Sequence, residues 1–205
     1  MHARPLKGIG NPPAENLLPP RSCHRAEPVW RVASRLQRHD IPETVLRWLL
    51  DPASLTRRVQ LACSGTFAVQ VLAQRWARPQ QNELRVLGMR AGSRALIREV
   101  YLSCDGRPWV YARTVIPGTT LTGSRRRLAY LRSRPLGAML FADPGMKRGP
   151  VEIARLMPCD RLYPAATRHL DSQPESIWGR RSLFRLSGAP LLVSEIFLPG
   201  IPACR

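Results

Sequence analysis

Lysine is almost absent from this chain. Of 32 basic residues only Lys7 and Lys147 are lysine, and against 14 acidic residues the formal charge is +18. A field of that sign attracts phosphate polymers or an anionic small molecule. The arginines are dispersed, however, with no run denser than Arg125-Arg126-Arg127. Zinc-finger spacing, a basic zipper and an aromatic RNA-binding strand motif are all missing, so the charge reads as solvated surface and no nucleic-acid partner is expected. Cysteine is sparse: Cys23, Cys63, Cys104, Cys159 and Cys204 include no close pair, which gives neither a compact disulfide framework nor a metal knuckle. Long apolar runs are lacking, so no transmembrane segment is expected. The opening MHARPLKGIGNPPAENLLPPRS has no continuous apolar stretch of a secretory signal, and cytoplasmic residence is the expectation. The four histidines, at positions 2, 24, 39 and 169, have no ligand spacing, and neither a phosphate loop nor a nucleophile elbow is present. Metal, nucleotide and covalent catalysis therefore find no support.

The residues that are present divide the chain into an arm and one domain. Residues 1–28 are rich in proline and polar side chains and read as a loose arm, leaving 29–205 as the domain. Val29 to His39 has the spacing of a short amphipathic helix, and Pro42 opens a second one through Leu50. Asp51-Pro52 interrupts it, and Ser54 is placed to cap a turn beginning at Leu55 or Thr56. Beyond that point the pattern changes to strands: Phe67–Trp76, Ala95–Cys104, Trp109–Pro117, Ser182–Ser187 and Pro190–Leu198. Two of the gaps, one around Asp105-Gly106 and one around Ser187-Gly188, look like tight hairpin turns, which makes the strands they join antiparallel. Ser124–Arg134 is helical in character, Pro135–Phe141 begins a further helix, and Val151–Leu156 is a candidate strand. The class implied is α+β, an antiparallel sheet backed and capped by helices.

Two charged residues stand out on this pattern. Arg98 shares its alternation face with Leu96, Val100 and Leu102, and Glu195 shares one with Leu191, Val193 and Phe197. Charges among large apolar side chains are costly unless paired, so the two suggest an enclosed site for a small polar ligand. An arginine fork suits a carboxylate. A buried glutamate orients a hydroxyl or acts as acid or base. The plainer alternatives stay open: Arg98 reaching solvent along its stem, and Glu195 neutralising Arg98, Arg113 or Arg185. Glu99 faces the other way and reads as half of a surface pair. Trp178 reads as a packing anchor, with Arg180 and Arg181 solvated or locally paired.

From about Ile41 to Pro199 the sequence resembles the chorismate pyruvate-lyase family. The resemblance is carried by Trp48-Leu49-Leu50, Ser54-Leu55-Thr56-Arg57-Arg58, Ile97-Arg98-Glu99-Val100 and Ala112-Arg113-Thr114-Val115-Ile116-Pro117. It continues through Pro135-Leu136-Gly137 and Trp178-Gly179-Arg180-Arg181-Ser182 to Glu195 before Phe197-Leu198-Pro199. It implies a six-stranded antiparallel sheet with helical lids over an enclosed ligand site. It further implies that Arg98 binds the carboxylate of an aromatic acid, helped by the backbone amides of Leu55 and Leu136, with Glu195 on the hydroxyl side of the ring. Leu55 stands where a well-known member has methionine, a change that a backbone role survives.

The reaction implied is elimination of pyruvate from chorismate to give 4-hydroxybenzoate, the first committed step of bacterial ubiquinone synthesis. Loss of a ring proton with breakage of the carbon–oxygen bond restores aromaticity, so no metal, redox cofactor or covalent nucleophile is required. Chorismate, 4-hydroxybenzoate and pyruvate are the expected ligands, a monomer the expected state, and product inhibition the expected behaviour. Whether Glu195 transfers a proton is left open by the sequence. The rival class is an effector-binding domain of a transcription regulator, since such domains resemble the family's fold.

Overall fold

The computed structural model describes residues 26–36, 39 and 41–203. Eight antiparallel strands form one sheet: β1 (Arg31–Val32), β2 (Phe67–Ala77), β3 (Ala95–Cys104), β4 (Arg107–Pro117), β5 (Met146–Arg148), β6 (Glu152–Leu156), β7 (Ile177–Leu186) and β8 (Ala189–Phe197). Their order is β1-β6-β7-β8-β4-β3-β2, with β5 paired to β7 beyond the end of β6. The six strands expected from the resemblance become eight because two short pieces, of two and three residues, add themselves to β6 and β7. Both hairpins form as expected. Asp105-Gly106 and Ser187-Gly188 each have positive φ at both central residues, which matches the twist of the strands they connect.

The helices are α1 (Glu43–Leu50), α2 (Leu55–Ala62), α3 (Gln81–Leu87), α4 (Leu136–Phe141) and α5 (Tyr163–Thr167). α1, α2 and α4 cover one face of the sheet, where Trp48, Leu49, Leu55 and Val59 meet Val100, Leu102 and Phe197. Farther along the same face Leu136 and Leu140 meet Leu96, Phe184 and Val193. α5 and α3 cover the opposite face, packing on Tyr101, Tyr111 and Ile196 and on Ala95, Ile97 and Val115. β3 runs between two covered faces, and every residue in it is buried.

Several expectations are corrected. Val29–His39 is not a helix: Arg31 and Val32 pair with Ile153 and Glu152 of β6, and Ala33–Arg35 is a single 3-10 turn, because a free sheet edge offers those backbones a ladder. Residues 37 and 38 of that stretch lie outside the described residues. The helical character expected over Ser124–Arg134 takes the form of a 3-10 helix, Gly123–Tyr130, and stops short of Arg134. β7 begins at Ile177, five residues earlier than the pattern indicated. α3 and α5 were not anticipated. Of the expected arm, residues 1–25 lie outside the described residues; Ala26 bridges to Asp160, and the Glu27 carboxylate accepts the backbone N–H groups of Gln81 and Asn82 at 2.7 and 2.8 Å. Cys63 at the end of α2 and Cys104 at the end of β3 form a disulfide, although 41 residues separate them and linear spacing gave no sign of it. Among the described residues no helix is long and apolar enough to cross a membrane.

Candidate functional site

The face under α2 and α4 holds a cavity of about 50 Å³, and Leu55, Arg98, Leu136 and Glu195 all line it. The pairing register explains how they meet. Val100, Ala112 and Glu195 lie in one row across β3, β4 and β8, and Arg98, Thr114 and Val193 lie in the next row of the same face. Arg98 and Glu195 are thus two strands and two residues apart, about 12 Å between Cα atoms from standard strand spacings. Val69, Leu102, Leu140 and Phe184 make the remaining wall largely apolar.

Arg98 is 3% exposed. Its Nη2 donates to the carbonyls of Arg132 at 2.6 Å and Arg134 at 3.3 Å, in the segment that leads into α4. Its Nε is buried with no hydrogen-bond partner. An orphaned donor on a charged group is costly, and none of the described residues compensates it. Burial alone pushes this guanidinium below its usual range, with no carboxylate opposing the effect. The group is oriented by the protein, and one of its donors is left unsatisfied.

Glu195 is paired with none of the three arginines considered from the sequence. Its Oε2 accepts from Nε of Arg180 at 2.6 Å, while Oε1 takes no hydrogen bond among the described residues. Arg180 is the residue the sequence reading missed. It is 1% exposed, and its Nη1 donates to the carbonyls of Trp48 at 2.9 Å and Asp51 at 2.6 Å. Those carbonyls belong to the last turn and cap of α1, which an arginine satisfies well. One buried cation therefore fixes the glutamate and the end of α1 together. The signal was available: once β7 is extended back to Ile177, Arg180 alternates with Ser182 and Phe184 onto the cavity face.

The two helices above the cavity begin beside each other. Leu55 and Leu136 are the first residues of α2 and α4, so their backbone N–H groups have no partner within their own helices. Ser54 precedes α2 as expected, but its hydroxyl makes no capping bond. A Cβ on Gly137 would meet Ser54 Oγ at 3.0 Å and Thr56 Oγ1 at 3.1 Å, so glycine lets the helices approach.

The opposite face carries a separate ionic cluster. Arg113 donates to Glu83 of α3 at 2.8 Å and to Glu99 at 2.7 Å, and Tyr111 donates to Glu99 at 2.8 Å. Glu99 is therefore not half of a surface pair; α3 buries the second face of β3. Burial raises the Glu99 carboxyl, but Arg113 and the Tyr111 hydroxyl outweigh it and hold the group below its usual value. Arg181 is likewise interior, paired with Glu152 at 2.6 Å and stacked over Trp30. With Arg98, Arg113 and Arg180, it takes part of the arginine excess inside the fold.

An antiparallel sheet with a mostly apolar cavity lined by a buried arginine and a glutamate is the kind of frame that small-molecule binding domains use. Among solved structures, PhnF from Mycobacterium smegmatis aligns with a TM-score of 0.54 at 14% identity, over 75% of this chain and 67% of that one. The effector domain of PhnF aligns at 0.50 with 15% identity, over 73% and 91%. That likeness concerns the fold alone. Sequence is more specific: residues 25–203 match the chorismate lyase family, and the chain belongs to it. A probable chorismate pyruvate-lyase of Azoarcus sp. (strain BH72) is 49% identical over 158 residues, 75% of this chain and 83% of that protein. Proteins of the same name from Aromatoleum aromaticum and Pseudomonas aeruginosa (strain UCBPP-PA14) are 46% and 40% identical, over 82% and 84% of this chain and 91% and 92% of theirs.

Proposed function

We propose that this protein is a chorismate pyruvate-lyase, converting chorismate to 4-hydroxybenzoate and pyruvate as the step that commits chorismate to ubiquinone synthesis. The observation that carries the reading is the buried Arg98, with an unpartnered Nε, lining one apolar cavity together with Glu195 in a chain of this family. The ring carboxylate sits on Arg98 and on the backbone amides of Leu55 and Leu136, and Glu195 lies at the hydroxyl-bearing edge.

In the elimination a proton leaves the carbon that bears the hydroxyl, the ether bond breaks at its neighbour, and the electron pair departs with the enolpyruvyl oxygen. Aromaticity supplies the driving force. The protein's part is to fix a dianion, exclude water and stabilise charge moving toward the leaving group. Glu195, held by Arg180, organises the reacting side; proton transfer within the substrate is the competing route for that step. α2 and α4 act as lids, and the product keeps the carboxylate and flat ring that the cavity fits, so lid opening and product release limit turnover. The protein works as a cytoplasmic monomer without a nucleic-acid partner.

Incubating purified protein with chorismate and quantifying the aromatic acid and pyruvate separately tests the reading. Equal amounts of 4-hydroxybenzoate and pyruvate are expected. Pyruvate with 3-hydroxybenzoate would mean a different regiochemistry. Ligand binding with no turnover would mean an effector domain, the role that the shared fold also serves.

A further inference from the structure

Chorismate differs from 4-hydroxybenzoate by an enolpyruvyl arm that carries a second carboxylate, and Arg98 can hold only one of the two. The cavity face offers two cations near Glu195. Arg180 is committed, with its Nε on Glu195 and its Nη1 on two main-chain carbonyls. Arg148 of β5 is the other. Its register partner is Phe184, and its guanidinium carbon lies 5.5 Å from the centroid of that ring, which itself lines the cavity. Its Nε donates to Ser182 Oγ at 3.0 Å and its Nη1 to the Pro52 carbonyl at 2.9 Å. Nη2 takes no hydrogen bond among the described residues.

Those contacts place the head in a defined spot. Phe184, Ser182 and Arg180 form one row on β7, opposite Leu191, Val193 and Glu195 on β8. Arg148 lies over that row, between the sheet and the link from α1 to α2. Burial pushes its guanidinium down, Arg180 adds to the effect and Glu195 opposes it, so the three groups share one field. Asp51, the other nearby carboxylate, is paired with Arg58. Two cations share one anion, and the cluster keeps one positive charge. A carboxylate neutralises it.

We propose that Arg148 receives the carboxylate of the enolpyruvyl arm and holds it beside the oxygen that departs, an inference that rests on the lyase reading above. Arg98 then recognises what substrate and product share, and Arg148 recognises only what the reaction removes. The Pro52 carbonyl occupies Nη1 near the start of α2, so the same side chain senses the arm and touches the approach to that helix.

Arg148→Met keeps the stem over Phe184 and removes the charge. It should lower kcat/KM for chorismate about 10- to 100-fold, the value of one or two charge-assisted hydrogen bonds, while changing the Kd for 4-hydroxybenzoate by less than about 3-fold. Arg148→Lys should recover part of the loss. Parallel loss of both quantities would mean that Arg148 only supports the wall, and unchanged kcat/KM would equally overturn the proposal. A test on the unaltered protein guards against misfolding. 4-Hydroxybenzoate bearing a carboxymethyl ether on the carbon next to the hydroxyl should bind about 10-fold more tightly than its arm methyl ester, and equal affinities would refute the assignment. If the unaltered protein makes no pyruvate from chorismate, the lyase reading falls, while the acid–ester pair still decides whether a second carboxylate is bound.

Discussion

Replacing Arg98 by methionine separates ligand recognition from folding. Methionine keeps an unbranched apolar stem of similar reach, so Val100, Thr114 and Leu136 retain a neighbour. What is lost is a buried guanidinium with an orphaned Nε and two bonds to the carbonyls of Arg132 and Arg134. Without ligand these effects oppose one another: relief of an unpaired buried charge is set against the loss of two carbonyl bonds, for a net change of ~1 kcal/mol in either direction. With ligand they do not. Two charge-assisted bonds to a carboxylate in an enclosed site contribute about 3–4 kcal/mol, a factor of roughly 100 to 1,000 in Kd. The assay is thermal unfolding with and without 4-hydroxybenzoate. At a concentration one hundred times the native Kd, the ligand stabilises the native protein by about 2.7 kcal/mol, a rise in Tm of about 5–11 °C for a chain of this size. Arg98→Met should melt within about 4 °C of the native protein when ligand-free and rise by no more than about 2 °C with ligand. A full shift in the variant would refute the carboxylate-anchor role.

Three further perturbations test other parts of the structure. Glu195→Gln keeps the shape and an acceptor for Arg180 but not the charge; a kcat lowered about 10- to 100-fold is expected if the carboxylate takes part in proton transfer, and an unchanged pH–rate profile would leave it only a positioning role. Cys63→Ser opens the disulfide-closed loop, which chain-entropy arguments value at about 4 kcal/mol, so the oxidised protein should melt about 10 °C higher than the variant, and the difference should vanish under reductant. Glu99 has its folded pKa depressed below the ordinary 4.5, so its stabilisation is complete above that value and is lost as pH falls through the folded pKa. Glu99→Gln should cost about 3 kcal/mol at neutral pH and flatten the decline of stability below pH 5 in denaturant titrations.

Local pattern carried the reading wherever one face of a strand decided the residue type. The β3–β4 and β7–β8 hairpins, and the inward aim of Arg98 and Glu195, follow from period-two alternation and from turns that need positive φ. It failed where a residue's partner is remote in sequence. Glu99 looked like surface because alternation cannot tell that a second layer covers the other face; α3, which supplies that layer, is short and opens with Gln81-Asn82-Glu83. What holds α3 is tertiary: the Glu83 side chain accepts the Gln80 N–H at 2.7 Å and also pairs with Arg113. Arg180 was misread because its partners, Trp48, Asp51 and Glu195, come from two distant stretches of chain. The disulfide was hidden for the same reason.

Arg132 occupies the left-handed region at φ 50°, a conformation that costs a non-glycine residue about 1–2 kcal/mol. Its carbonyl is the oxygen that Arg98 grips at 2.6 Å. The side chain proposed as the acid's anchor is thus also the clamp on a bent stretch of backbone just ahead of α4. If Arg98 anchors an acid as proposed, releasing that bend would slacken the grip and drawing an acid in would tension it, so that α4 and the anchor would behave as one spring.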